Sequence, residues 1–380
     1  MAETVNVEVV EASPAPAPAS APPTSAPAPI PATAPTTSAA AAVKPLPSPF
    51  SLDGLEFCVG TWAWGASHAK PGFAPSPFQS KDNTDDANRE CFKAFLSHGI
   101  RFFDTAEVYN SGFSEVVLGQ VTNEAMSATP PPPQPVLVAT KFMPMPWMLT
   151  SSCLKTHLQE SLARLKLPYV DLYQVHSPGF SCRSVEVWAE EMALCFKQGL
   201  IRGVGVSNYN ADQVQRTHAV LAKHGIPLLS NQVEYSLLHR MPETNGLFET
   251  CRKLNVKILA YSPLAMGRLT GKYTTKEQLE NLDSARSFGQ APVEQLLPLL
   301  EKMKAIGAAH GGKTCSQVAI NWVIRKGAIP ICGAKSAAQA TDNAGAVGWS
   351  ITDEEVAQLD ALSTPGNMTL FGKLWQNDTR

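Results

Sequence analysis

Four residues in this chain have the types and order from which a general acid can be assembled: Asp104, Tyr109 five residues later, Lys141 and His176. An isolated tyrosine, with a pKa near ~10, is a poor proton donor at neutral pH. A lysine placed beside it favours the phenolate and eases proton release, and a carboxylate beyond the lysine orients the ammonium group. Each residue also has an ordinary explanation. A lysine at a strand end is commonly a solvated charge, and a lone histidine is commonly structural. Asp104 before Thr105 could cap a helix, Tyr109 could pack a loop, and Ser207–Asn208 could cap a helix opening near residue 211. What separates these readings is whether the chain brings the residues to one place.

The elements that would carry them recur regularly. Short apolar runs of strand length lie near 57–60, 101–103, 136–140, 170–175, 203–206, 229–233, 257–260 and 328–332. Longer mixed stretches such as 84–98, 151–166, 185–199, 211–224, 243–254 and 313–326 separate them, most with helical spacing. Eight strand–helix repeats predict an α/β fold, a (β/α)8 TIM barrel with a disordered Pro/Ala-rich N-terminal tail. A doubly wound open sheet would show a GxGxxG turn after its first strand, and none is present. In a barrel, polar residues at the carboxyl ends of strands face the mouth. Asp104, Lys141, His176, Ser207 with Asn208, Gln232, and Tyr261 with Ser262 all stand at or near such ends. The stretch from Ser262 to Pro298 is long for a barrel loop and reads as a lid or binding loop on that face.

The bulk numbers set limits. Net charge is −2, from 31 basic and 33 acidic residues among 380, which gives no electrostatic reason to expect nucleic acid or an anionic membrane as partner. Eight cysteines are scattered without a CxxC or a Cys/His ligand spacing, so buried thiols are expected, with no metal site. No apolar run approaches the ~20 residues of a membrane helix. Residues 1–48 are dominated by Ala, Pro, Ser and Thr and read as a disordered tail, a targeting remnant or linker, with residues 49–380 forming the barrel. Glu3, Glu8 and Glu11, with no arginine, fit a transit peptide poorly.

The motifs FFDTAEVY, ATKF, DLYQVHSP, GVGVSNY, SNQVEYSLL, AYSPLAMGRLTGKY and IPICGAKS occur in an order that resembles the aldo-keto reductases, from Phe57 through Trp349. GTWAWG, FFDTAEVYNSGFSE and LTGKYT further resemble a plant and algal plastid subgroup, which implies a chloroplast location, or otherwise a cytoplasmic one. The resemblance implies an NADPH-dependent oxidoreductase that converts aldehydes or ketones to alcohols. Its catalytic tetrad would be Asp104, Tyr109, Lys141 and His176, with Tyr109 as proton donor. Tyr261 would stack on the nicotinamide, while Ser207, Asn208 and Gln232 would bind its carboxamide. Ser262, Leu264, Gly267 and Leu269 would line the pyrophosphate path. Lys335 and Ser336 would meet the ribose phosphate, Gln339 and Asn343 the adenine end. A cation at Lys335 favours the 2′-phosphate of NADPH, although Thr341 stands where many members carry an arginine. Trp62 and Trp147 are the expected substrate walls, and Trp64 either lines the pocket or packs the rim. Such walls favour apolar or aromatic carbonyls.

Two other readings follow from the same residues. A nicotinamide-binding partner subunit, resembling the potassium-channel β subunits, would use the tail for recruitment. A lyase or isomerase would use Lys141 as a Schiff base, which leaves SNY, YSPL and GAKS without a purpose. The expected partner is a small-molecule carbonyl substrate, with no nucleic acid or membrane, and the protein a monomer or weak oligomer.

Overall fold

Eight short strands, each too short to bury its apolar side chains alone, pair in chain order and close on themselves. In a computed structural model of the chain, the described residues are 47–68, 84–179, 181–280 and 293–363; most of the 1–48 tail and part of the expected 262–298 loop lie outside them. The strands are β1 (Cys58–Gly60), β2 (Phe102–Asp104), β3 (Leu137–Phe142), β4 (Leu172–Val175), β5 (Val204–Ser207), β6 (Leu228–Glu234), β7 (Lys257–Tyr261) and β8 (Ile329–Cys332). All neighbours are parallel and β1 pairs with β8, giving a closed barrel.

The helices between them are α1 (Asp85–Ser97), α2 (Phe113–Met126), α3 (Cys153–Leu165), α4 (Val185–Lys197), α5 (Ala211–Lys223), α6 (Met241–Thr244), α7 (Leu247–Lys253), α8 (Lys276–Glu280), α9 (Val293–Ala309), α10 (Cys315–Arg325), α11 (Ala337–Ala344) and α12 (Asp353–Leu362). Their starts follow local chemistry. Asn210, Thr314 and Thr352 each accept a bond from the backbone N–H three residues on, and Gln213, Gln317 and Glu355 reach back to close capping boxes.

The region after β7 differs from the expected long loop. Ala265–Thr270 forms a tight helical turn, α8 follows, and α9 begins inside the stretch read as loop. Pro298 lies within α9 and obscured its helical signal in the sequence.

Strand periodicity sorts the side chains into two sets. Val59, Phe103, Val138, Tyr173, Val175, Val206 and Val233 pack outward under the helices. Cys58, Phe102, Leu137, Ala139, Leu172, Leu259, Ile329 and Ile331 form a second core inside the barrel. Phe50 and Leu52, from the segment before β1, close the amino end of that inner core, with the Phe50 and Phe102 rings 5.8 Å apart. Arg202 holds the segment in place. It donates to the Ser48 carbonyl at 2.7 Å and to Asp171 at 2.5 Å, and its own carbonyl accepts from the Phe50 N–H at 2.9 Å. All eight cysteines are free thiols. No described helix is long and apolar enough to cross a membrane.

Candidate active site

One period-2 step beyond the apolar inner layer, the same strands present polar residues. Asp104 follows Phe102, Lys141 follows Ala139, and Gln174 follows Leu172, all pointing to the barrel axis. Lys141, fully buried, spends its three ammonium protons on three acceptors. Nζ donates to Asp104 Oδ2 at 2.5 Å, to the Thr105 carbonyl at 2.8 Å and to the Tyr109 hydroxyl at 3.2 Å. A buried ammonium is tolerated only with such complete pairing. Because the Tyr109 oxygen accepts from Lys141, its own proton is left to point elsewhere. Asp104 caps no helix, and Lys141 is not a solvated charge.

The electrostatics differ from the sequence expectation in one respect. Burial opposes the charge on Lys141, but Asp104 and Tyr109 outweigh it and hold its pKa above the usual lysine value. Burial raises the Tyr109 pKa, Lys141 pulls it down, Asp104 pushes it up again, and the net direction is upward. The main reason is burial, which outweighs the lysine's lowering effect, and the Asp104 charge adds to it. Tyr109 therefore rests as a neutral phenol. His176 is 6% exposed, and burial, followed by the Lys141 charge, keeps its pKa well below the ordinary histidine value. Its ring stands edge-on to Tyr109, centroids 5.6 Å apart.

The neighbouring strand ends interlock. The Tyr261 hydroxyl donates to Asn208 Oδ1 at 3.0 Å, Asn208 Nδ2 donates to the His176 carbonyl at 3.0 Å, and Ser207 Oγ donates to the Gln232 carbonyl at 2.9 Å. Ser207 and Asn208 do not cap α5, because Asn210 performs that task. Gln232 points down into the tetrad and donates to Asp104 Oδ1 at 3.0 Å.

Around the rim, non-glycine residues occupy left-handed backbone conformations at Asn208, Ser262, Ala265 and Met266, joined by Gly267. Such strain clusters at sites where the backbone is shaped for a ligand, and successive left-handed turns aim N–H groups at anions. Nothing lies within 4 Å of where a Cβ on Gly267 would sit. The rim thus combines open space, amide donors, hydroxyls and an aromatic face, a donor set that fits a nicotinamide dinucleotide. Leu264 is partly buried against the core and Leu269 is fully inside it, so only the former has side chain to offer the rim. Lys335 and Ser336 precede α11, with Ser336 as its N-cap. Gln339 accepts from the Lys335 N–H at 2.9 Å, and the buried Asn343 donates to the Gly333 carbonyl at 3.1 Å. Those two side chains shape the turn that presents Lys335.

Trp62 is 38% exposed, its ring 6.5 Å from that of Tyr109; Trp147 is 70% exposed, and Trp64 is fully buried against Phe103. Trp64 packs the rim. Three residues escaped the sequence reading. Gln174 donates to Asp104 Oδ1 at 2.9 Å; its place two residues before His176 was the available signal. Asn110, at φ 49°, donates to the carbonyls of Trp62 and Trp64 and so ties the Tyr109 turn to the loop after β1. Glu107 accepts from the Met143 N–H at 2.7 Å and pairs with His157 at 2.8 Å, raising the His157 pKa and joining the loops after β2 and β3. Among the described residues, no cluster of His, Cys, Asp or Glu is placed to hold a metal ion.

Comparison with known proteins gives a consistent result. Residues 56–364 match the model of the Aldo/keto reductase family. The chain is 35% identical over 335 residues to the chloroplastic pyridoxal reductase of Arabidopsis thaliana, covering 86% of this chain and 88% of the relative. It is 30% identical to an aldo-keto reductase of Strobilurus tenacellus, over 84% of this chain and 92% of that one. Among solved structures, the glycerol dehydrogenase of Gluconobacter oxydans superposes with a TM-score of 0.67 at 26% identity, covering 86% and 97% of the two chains. An aldo/keto reductase from Klebsiella pneumoniae, in complex with NADP and acetate, superposes with a TM-score of 0.61 at 26% identity, over 83% and 93%.

Proposed function

The chain belongs to the aldo/keto reductase family and is a carbonyl-reducing oxidoreductase, and we propose that it reduces aldehydes or ketones to alcohols with NADPH as reductant and Tyr109 as acid. The observation that carries the reading is the Lys141 ammonium shared between Asp104 and the Tyr109 hydroxyl at the carboxyl end of the barrel. Tyr261, Ser207 and Asn208 would hold the nicotinamide end, Ser262, Leu264 and Gly267 the pyrophosphate, and Lys335 with Ser336 the phosphate on the ribose. When bound, NADPH supplies a hydride to the carbonyl carbon.

The protein's own residues do the rest. Tyr109 and His176 converge on the position of a substrate oxygen. His176, kept neutral, donates an N–H to orient that oxygen without contributing a charge. As negative charge builds there, the Tyr109 proton moves to it, because an alkoxide is a far stronger base than a phenolate. The phenolate left behind accepts from Lys141, whose ammonium is fixed by Asp104. The raised Tyr109 pKa suits this direction, since the acid stays loaded at neutral pH. Trp62 and the exposed Trp147 would wall an apolar or aromatic substrate, and the pyridoxal reductase relative makes pyridoxal a first choice to assay. That relative also supports a plastid location, with residues 1–48 as a targeting or linker segment ahead of a 49–380 barrel.

The test follows absorbance of NADPH, with NADH in parallel, against pyridoxal, aromatic aldehydes and a charged sugar, using Tyr109→Phe as control. Turnover with NADPH that the Phe variant loses is the expected result. Tight NADPH binding without turnover of any carbonyl would sink the reductase reading and favour the partner-subunit alternative.

A further inference from the structure

Lys141 is only one of three side-chain donors to Asp104; the other two are glutamine amides. Gln174 Nε2 reaches Oδ1 at 2.9 Å and Gln232 Nε2 reaches the same oxygen at 3.0 Å, while Lys141 takes Oδ2. The glutamines also meet each other, Gln232 Nε2 lying 3.3 Å from Gln174 Oε1. All four side chains are at most 3% exposed. An aspartate can turn about its side-chain torsions, and among the described residues these two amides hold the oxygen that faces away from Lys141. Gln174 is itself held by shape. A Cβ on Gly205, across the strand pair, would lie 3.0 Å from Gln174 Cγ and 2.5 Å from Ser230 Oγ, so the glutamine stem packs tightly against the β5 backbone. The two glutamines have unequal duties. Gln232 stands at the strand end nearest the cofactor rim, where a carboxamide would compete for its amide. Gln174, deeper and on the strand that carries His176, has no such competitor.

We propose that Gln174 is a positioning residue for carbonyl reduction, fixing the Asp104 carboxylate so that Lys141 stays aimed at Tyr109 when the cofactor engages Gln232. This rests on the reductase reading. The titratable groups facing the position are Asp104, Lys141, Tyr109, His176 and Cys58.

The experiment compares full-length wild type, Gln174→Leu and Gln174→Glu, with 4-nitrobenzaldehyde and NADPH as probes, from pH 5.5 to 8.5. Gln174→Leu is expected to lower kcat about 10- to 100-fold, the size of effect that slight misplacement of a catalytic group produces, with the aldehyde KM and the NADPH Kd within about two-fold. Gln174→Glu provides the conservative rescue. Protonated, its carboxyl donates to Asp104 as the amide does; ionised, it repels Asp104. Its kcat relative to wild type is therefore expected near unity at the acid end and to fall about ten-fold toward pH 8.5. A flat ratio, or kcat within two-fold of wild type for both variants, overturns the proposal. So does loss of NADPH affinity in step with kcat, which would make Gln174 a cofactor-site or folding residue. If wild type binds NADPH but reduces nothing, the reductase reading fails. The Tyr109 ionisation, isolated by ultraviolet titration against Tyr109→Phe, then decides the proposal: an upward shift in Gln174→Leu supports it, and no shift overturns it.

Discussion

The two ends of the barrel interior are built from the same eight strands and the same alternation, but to opposite specifications. At the amino end, Phe50, Leu52, Phe102, Leu137, Leu172 and Ile329 meet as apolar surfaces whose individual identities matter mainly through volume. At the carboxyl end, Asp104 and Lys141 are held by directed bonds, the carboxylate from the Lys141 ammonium and two glutamine amides, and removing one partner orphans another. The contrast teaches that stability and chemistry are separable along one axis. The lower layer tolerates approximate fit, while the upper layer depends on direction.

The largest expected effect tests that separation directly. Tyr109→Phe removes one oxygen, the one that accepts from Lys141, so kcat/KM should fall by about 10³-fold in NADPH-linked assays, with a stability loss limited to about 1–3 kcal/mol, that of one lost acceptor. At the other end, Phe102→Ala should cost about 3–5 kcal/mol in denaturant unfolding, with kcat of the folded protein within about two-fold. A kcat loss as deep as the stability loss would break the comparison. Arg202→Ala, which frees the plug segment and Asp171, should cost about 1.5–3 kcal/mol, again without a kinetic signature.

His176 adds a pH dependence at the upper end. Its folded pKa lies well below the unfolded one, so the unfolded chain binds the extra proton first as pH falls. Stability should therefore be whole above the unfolded value of about 6.5 and should decline by about 1.4 kcal/mol per pH unit below it, until the folded pKa is reached. Unfolding curves of wild type and His176→Asn at pH 7.5 and 5.5 should differ in that slope, and equal slopes would remove His176 from the account. The smallest effect belongs to Trp147→Ala, where an exposed ring is lost. Stability should stay within about 0.5 kcal/mol, and a rise of a few-fold in KM for aromatic aldehydes would mark it as a substrate wall.

The barrel was legible because eight apolar runs of strand length alternate with helical stretches, and the tetrad because six of those runs, β2 to β7, end in or near polar residues that share one face. What lay hidden depended on partners far apart in sequence. Gln174 reads as one polar letter in a buried strand until β2 and β6 bring Asp104 and Gln232 beside it. The upward Tyr109 pKa could not be read from residue types, since it turns on how completely the fold buries the phenol, with the Asp104 charge adding to the shift. Spacing alone does not separate the duties of Gln232, Gln339 and Asn343 either. The first donates into the tetrad, whereas the other two brace the turn before α11. Helix α9 escaped because a proline and an expected loop outweighed its spacing.

Gly205 carries a consequence for how such chains are recognised. It belongs to none of the acid, tyrosine, lysine or histidine positions by which function is usually inferred, yet its missing side chain leaves room for the stem of Gln174. A relative that acquired alanine there would keep all four tetrad residues while crowding Ser230 and the stem of the glutamine that holds its aspartate. Such a chain would retain its tetrad by residue type while the packing beneath its aspartate had changed. The informative position for telling working copies from silent ones is then a place where the sequence shows nothing but a hydrogen atom.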